Sequence, residues 1–262
     1  MARDWDPAQY ERFRRERAQP FEDLFALVRP REAMRVIDLG CGTGELTALL
    51  AERLPGATVH GVDSSPAMLE KAGPRTHARL DFALADAGAI SDFSAWDLVF
   101  SNAALHWIPD HEAYFARLLS TMKPGAQLAV QTPRNERHPS HAVAHGLARE
   151  EPFRAWLGGF VHETPVLPLE RYAALLHQHG FDEPTCIEKV YGHVLPGGAD
   201  DVVEWVRGTT LVPYLGRLAE VQQEQFLAEY RARLGAALEG ESEPGRPLFF
   251  PFRRVLFHGT KR

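Results

Sequence analysis

Val36-Ile-Asp-Leu-Gly-Cys-Gly-Thr-Gly-Glu45 joins a short apolar run to three alternating glycines and then to the start of a helical period. A strand that ends on a tight turn and returns as a helix is the opening unit of a parallel sheet, since the chain must leave the strand end and climb onto a sheet face. Gly40, Gly42 and Gly44 carry no side chain and tolerate unusual dihedrals, so a ligand can approach the backbone there. Outward from this turn the same rhythm repeats. Strands are predicted at Arg35–Leu39, Thr58–Val62, Leu80–Ala85, Leu98–Ser101 and Gln127–Thr132, with helices at Glu45–Leu54, Pro66–Ala72 and His111–Met122. Lys123-Pro124-Gly125 stops the last helix. The predicted class is α/β, a doubly wound and mostly parallel sheet.

Beyond Thr132 the rhythm breaks, because Pro133, Pro139, Pro152, Pro165 and Pro168 divide the chain into short helical pieces rich in histidine and aromatics. Glu170–His179 reads as a helix, Thr185–Val194 as a strand and Asp200–Leu238 as helical. Leu248–His258 reads as a last strand returning to the sheet, with Pro251 favouring an edge or a bulge. The expected organisation is an N-terminal helical lid (1–30), a cofactor-binding core (31–134), a helical insertion (135–168), a return to the core (169–195), a helical substrate cap (196–246) and the final core strand (247–262).

The 262 residues suffice for a full core, and 45% apolar and 24% charged residues with a net charge of -6 are ordinary for a globular protein. No basic block is present, so nucleic acid is a poor partner; Arg12, Arg14, Arg15 and Arg17 alternate with Glu11 and Glu16 as a solvated helix face would. Cys41 and Cys186 have no partner at a metal or redox spacing. There is neither a signal core nor a membrane span, so a cytoplasmic protein is expected, as a monomer or weak homodimer.

Asp63 ends the second strand about 20 residues beyond the turn, where an acid binds both hydroxyls of a ribose. A dinucleotide fingerprint would place a third glycine where Glu45 stands, and a carboxylate at a helix start repels a pyrophosphate. Asp38 adds a second negative charge, so a cationic nucleoside cofactor fits better than NAD. The alternative role for Asp38 is to organise the loop. Asp86, after the third strand, can accept the exocyclic amine of adenine or serve as a turn acid.

With these residues in place the chain resembles the class I S-adenosylmethionine-dependent methyltransferases. Asp4-Trp-Asp-Pro-Ala-Gln-Tyr10, Gly61-Val-Asp-Ser-Ser-Pro-Ala-Met68, Asn102-Ala-Ala-Leu-His-Trp-Ile-Pro-Asp110, Val130-Gln-Thr-Pro133 and Phe252-Arg-Arg254 narrow the resemblance to the trans-aconitate 2-methyltransferase family. It implies a seven-stranded Rossmann-like fold with S-adenosylmethionine as cofactor. It also implies that Gly40, Cys41 and Gly42 lie against the methionine moiety with Asp38, that Asp63 and Ser64 hold the ribose, and that Met68, Asp86 and Ala87 surround adenine. Asn102, Ala103 and Trp107 would line the passage to the methyl group. For Met68 and Trp107 the plainer alternative is core packing. One departure is visible: Thr209-Thr-Leu-Val-Pro213 carries Val212 where the family has arginine, which removes a carboxylate partner if the position faces substrate. An acid less charged than trans-aconitate is therefore expected.

Transfer to a carboxylate needs no general base, because the nucleophile is ionised at neutral pH, and no catalytic residue is assigned; alignment and desolvation suffice. Tyr10, His106, Gln131, Tyr214, Arg253 and Arg254 are the candidate substrate-binding groups, with a solvent-facing edge strand as the alternative for the two arginines. With a phenol, amine or hydroxyl acceptor, His106 would be the base. His138, His141 and His145 could share a helical face, but no carboxylate completes a metal set, and no metal is expected. A non-catalytic scaffold and an NAD-dependent oxidoreductase are the competing classes. Trp5–Tyr10 is expected to close over bound cofactor.

Overall fold

The computed structural model describes residues 14–239 and 247–262; Trp5 and Tyr10 lie outside them. Helix α1 (Arg14–Phe25) is followed by β1 (Arg35–Leu39), α2 (Glu45–Arg53), β2 (Thr58–Asp63), α3 (Pro66–Ala72), β3 (Leu80–Leu84), β4 (Leu98–Asn102), α4 (His111–Thr121) and β5 (Gln127–Pro133). Then come α5 (Pro139–Leu147), α6 (Phe153–Trp156), α7 (Leu169–Gln178), β6 (Phe181–Leu195), α8 (Ala199–Arg207), α9 (Val212–Leu215), α10 (Glu220–Ala237) and β7 (Leu248–Lys261). The strands form one seven-stranded sheet of order β3-β2-β1-β4-β5-β7-β6. β1 pairs in parallel with both β2 and β4, so the winding reverses between β1 and β4, and in such sheets the crevice at the strand ends there receives the ligand. β7 runs antiparallel to β5.

The chain divides into two compact units. The first comprises residues 1–133, 165–189 and 254–262. Strand alternation sends side chains to two apolar clusters, one on each face of its sheet. Val36, Leu98, Phe100, Ala129 and Leu256 pack on one face with Phe21 and Leu24 of α1 and Leu50 of α2. Ile37, Leu39, Val99, Val130, Val255 and Phe257 pack on the other with Phe115 of α4 and Tyr172 of α7. The Tyr172 and Phe257 rings stack 4.2 Å apart.

The second unit comprises residues 134–164 and 190–253. The insertion and the cap, expected as separate pieces, form one body here: Tyr230 of α10 donates to the Ser140 carbonyl at 2.7 Å, and the Phe153 and Phe226 rings meet at 5.2 Å. Trp205, Phe250 and Phe252 form an aromatic cluster with His193. The first part of β7, through Arg253, belongs to this unit, not to the core as the sequence suggested. β7 is also an interior strand and not an edge. Pro251 is tolerated because the pairing with β5 covers only Arg254–Thr260, so its missing N–H removes no bond from that ladder.

Candidate functional site

The glycine turn is held by the strand beside it. Gly40 and Cys41 both donate backbone N–H groups to the Val62 carbonyl, at 2.8 and 3.0 Å. Gly40 has φ +78°, and a Cβ there would stand 2.1 Å from Cβ of Ala104, so only glycine lets the end of β1 pass under the segment leaving β4. Gly44 caps α2 at φ 71° without a side-chain hydrogen bond. Ala103 also has a positive φ of 58°, uncommon without glycine, and donates its N–H to the Gln131 carbonyl at 2.9 Å.

The two acids expected here take different environments. Asp63 ends β2 with each carboxylate oxygen accepting one backbone N–H, Oδ2 from Gly42 and Oδ1 from Ser65, both at 2.9 Å. It therefore ties the glycine turn to the start of α3, and its remaining lone pairs can accept a pair of hydroxyls. Asp38 is buried, and its Oδ2 accepts from the Thr47 hydroxyl at 2.6 Å. Burial pushes its carboxyl up to about 7; the Thr47 bond opposes this and the nearby Asp63 charge adds to it. Burial, with Asp38 and Asp63 nearby, also raises the Cys41 thiol, which makes it an inert part of the wall.

A cavity of about 410 Å³ opens at these strand ends, lined by Asp38, Gly40, Cys41, Glu45, Phe100 and Asn102 together with Thr43, Leu46, Leu49, Glu52, Arg75 and Ala18. Among the described residues its wall holds three carboxylates, Asp38, Glu45 and Glu52, against one guanidinium, Arg75. That balance suits a ligand carrying an ammonium or sulfonium and opposes a pyrophosphate. Oδ1 of Asn102 is buried here with no partner, a second opening for a donor from a ligand. Thr47 and Glu52 were not singled out in the sequence, because a hydroxyl or charge inside a helical period reads as ordinary helix surface, and Arg75, in the short turn after Ala72, reads as loop surface.

Met68 is buried on α3, whose N-cap Ser65 accepts the Met68 N–H at 3.4 Å, and Ser64 is exposed just before it. Asp86 is exposed and accepts from the Gly88 N–H at 2.8 Å, which makes it a turn acid with its other oxygen outside that bond; Ala87 is half-buried. His106 and Trp107 lie half-buried in the turn Leu105–Trp107 with ring centroids 4.7 Å apart. Gln131 near the end of β5 and Arg254 midway along β7, where the pairing with β5 begins, are buried in the same unit. Arg253 is exposed and belongs to the second unit.

Tyr214 lies wholly inside the second unit, its ring stacked on Phe226 and its hydroxyl accepting from the His162 N–H at 3.0 Å. Val212 begins the short helix α9 there. His138 caps α5 by accepting from the Ser140 N–H, and both nitrogens of His141 are engaged, by Ser140 and Thr210. No cluster of metal-ligating residues occurs among the described residues, and no helix among them is long and apolar enough to cross a membrane.

Residues 10–183 match the family described as Methyltransferase domain. The trans-aconitate 2-methyltransferase of Deinococcus radiodurans is 45% identical, over 98% of this chain and 98% of its own length. The chain belongs to the trans-aconitate 2-methyltransferase family. It is an S-adenosylmethionine-dependent methyltransferase. The trans-aconitate 2-methyltransferase of Streptomyces coelicolor is 43% identical, over 96% of this chain and 85% of its own length. Among solved structures, the YcgJ protein of Bacillus subtilis superposes on this methyltransferase with a TM-score of 0.61 at 16% identity, covering 94% of this chain and 99% of its own. Geranyl diphosphate C-methyltransferase of Streptomyces coelicolor does so with a TM-score of 0.55 at 14% identity, covering 97% and 82%. At such identities these two report the shared fold.

Proposed function

We propose that this methyltransferase forms a methyl ester on a carboxylate oxygen of trans-aconitate or a closely related small acid, releasing S-adenosylhomocysteine. The observation that carries the reading is Arg254, a guanidinium only 4% exposed midway along β7, where the pairing with β5 begins. Leu256, two residues on, packs with Phe100 and Ala129, so alternation puts Arg254 on the face that also carries Asp38 and Asn102. A guanidinium presents forked N–H donors that match the two oxygens of a carboxylate. One sheet face thus carries Asp38, which lines the cofactor cavity with Glu45 and Glu52 of α2, and a guanidinium for an anionic acceptor. The trans-aconitate name borne by the relatives supports the choice of acid.

S-adenosylmethionine supplies a methyl group on a positively charged sulfur. In this reading Asp38, Gly40, Cys41 and Gly42 hold its methionine end, Asp63 and Ser64 the ribose, and Met68, Asp86 and Ala87 the adenine. Asn102, Ala103 and Trp107 line the way to the acceptor, which His106, Gln131 and Arg254 receive. The acceptor carboxylate is ionised at neutral pH, so no residue removes a proton. The protein's contribution is alignment and exclusion of water. Tyr214, whose hydroxyl serves the backbone, and exposed Arg253 have no part in the reading.

Incubation with methyl-labelled S-adenosylmethionine and a panel of mono-, di- and tricarboxylic acids tests this. The expected product is a base-labile ester, formed fastest on trans-aconitate. A base-stable ether or amine, or no turnover of any acid, would refute the carboxylate acceptor. Faster turnover of a dicarboxylate would instead give Val212 the selectivity expected from its sequence.

A further inference from the structure

Two glutamines lie on β5, and the fold treats them oppositely. Gln127, at the start of the strand, is buried and satisfied: its Oε1 accepts from the Arg29 N–H at 2.8 Å, its Nε2 donates to the Arg29 carbonyl at 2.8 Å, and His258 stands 3.1 Å from Oε1. Gln131, four residues on, is 0% exposed, yet neither its Oε1 nor its Nε2 has a hydrogen-bond partner. Exchanging the two amide atoms cures nothing, because both are orphaned. Buried polar groups are rarely left so, and a methionine or leucine would fill the same volume without the penalty.

Its neighbours indicate what it awaits. In the parallel register Asn102 of β4 stands directly beside Gln131, and Oδ1 of Asn102 is likewise buried and unpartnered while the residue lines the cavity. On the other side the antiparallel register pairs Gln131 with Leu256 and Pro133 with Arg254. Asn102 and Gln131 therefore stand side by side near the ends of β4 and β5, and Arg254 of β7 shares their face, diagonal to Gln131 and one pleat beyond Leu256. A carboxamide beside a buried guanidinium offers N–H donors to a carboxylate.

We infer that Gln131 is an acceptor-binding residue that sets specificity, its Nε2 donating to a carboxylate of the bound acid next to Arg254. This rests on the carboxylate-acceptor reading above. An acid lacking a carboxylate at this position leaves the amide unsatisfied, and a site of that kind discriminates strongly against the analogue that lacks the group.

The Gln131→Met and Gln131→Leu variants test it. Both are expected to melt no lower than the wild type and to bind S-adenosylhomocysteine within twofold of it by calorimetry. The KM for trans-aconitate is expected to rise at least tenfold, with kcat changed much less. Gln131→Glu, which sets a carboxylate against a carboxylate, is expected to lose turnover while still binding S-adenosylhomocysteine. If Met and Leu variants fold, bind S-adenosylhomocysteine and keep the wild-type KM, the inference is wrong and the acceptor reading stands. If both variants melt several degrees lower with KM unchanged, Gln131 is structural. A wild-type enzyme that methylates no carboxylic acid overturns the acceptor reading and this inference together.

Discussion

Asp38 and Asp63 lie on neighbouring strands and differ in kind: one is buried and accepts from a hydroxyl, the other braces two loops through backbone amides. Asp38, raised from an ordinary value of 3.8 to about 7, binds a proton in the folded state over a range where the unfolded chain does not. Its contribution to stability is thus present in full below about pH 4 and is lost as pH rises through about 7. A cationic cofactor favours the ionised form, so binding below pH 7 releases a proton. S-adenosylmethionine affinity is expected to rise severalfold from pH 6 to pH 8 in the wild type, and to be nearly flat in Asp38→Asn. Calorimetry in buffers of different ionisation enthalpy reads this directly, and equal proton release in both proteins would exclude Asp38 as its source. Gly40→Ala is a steric test at the same turn. The new methyl has to fit 2.1 Å from Ala104 at φ +78°, so the midpoint of thermal unfolding is expected to fall by roughly 5–10 °C. An unshifted midpoint would mean that the end of β4 moves aside freely.

At the scale of the element, β7 shows how a strand sorts two identical neighbours. Arg253 and Arg254 are equivalent in the sequence, and the even choice between a substrate role and a solvent-facing edge could not be made there. Alternation resolves it into one of each: Arg254 is buried with the face that bears Leu256, and Arg253 is exposed. Arg254→Met is expected to cut kcat/KM for trans-aconitate by about 100-fold or more, the usual loss for a charge-assisted pair. S-adenosylhomocysteine affinity should hold within about threefold. Arg253→Ala is expected to change kcat/KM by less than about threefold, as its backbone N–H, which donates to Asn135, is retained. Steady-state kinetics of the two variants side by side decides the matter, and equal losses would mean that alternation does not govern this end of the strand.

Across the whole molecule the histidines outweigh Asp38 in the response to acid. Burial lowers His138 to about 4 and His258 to about 4, and lowers His141 to about 3 with a further push from neighbouring histidines. A histidine depressed in the folded state stabilises it above the ordinary value of 6.5, and that stability is lost as pH falls toward the depressed value. Burial lowers His111 and His145 as well, so five such groups among the described residues oppose the Asp38 carboxyl, which gains over the same range. The midpoint of unfolding is expected to drop by on the order of 5 °C between pH 7.5 and pH 5.0. His141 lies in the second unit and His258 in the first, so scanning calorimetry of His141→Asn should blunt the acid loss. An acid response identical to that of the wild type would remove His141 from the account.

The strands and helices from Arg35 to Thr132 lie within about two residues of their sequence-based limits, because local signals set them: apolar runs of strand length, glycines at the turn after the first strand where φ is positive, Pro-Gly after the last helix. The glycine turn, Asp38 and Glu45 stand out in the sequence because one strand–turn–helix unit contains them, and Asp63 stands out as the acid that ends the next strand. What the sequence by itself determined is therefore the α/β class and a cofactor site suited to a cation. Tertiary structure alone decided that β7 is interior, that the insertion and the cap make one unit, that Tyr214 serves the backbone and that Arg254 rather than Arg253 is buried. It also decided that Gln127 is satisfied while Gln131 is not. Each of these depends on which distant residue lies across a strand or under a ring. Composition and periodicity place a side chain on a face, but only the packed chain shows what meets it there.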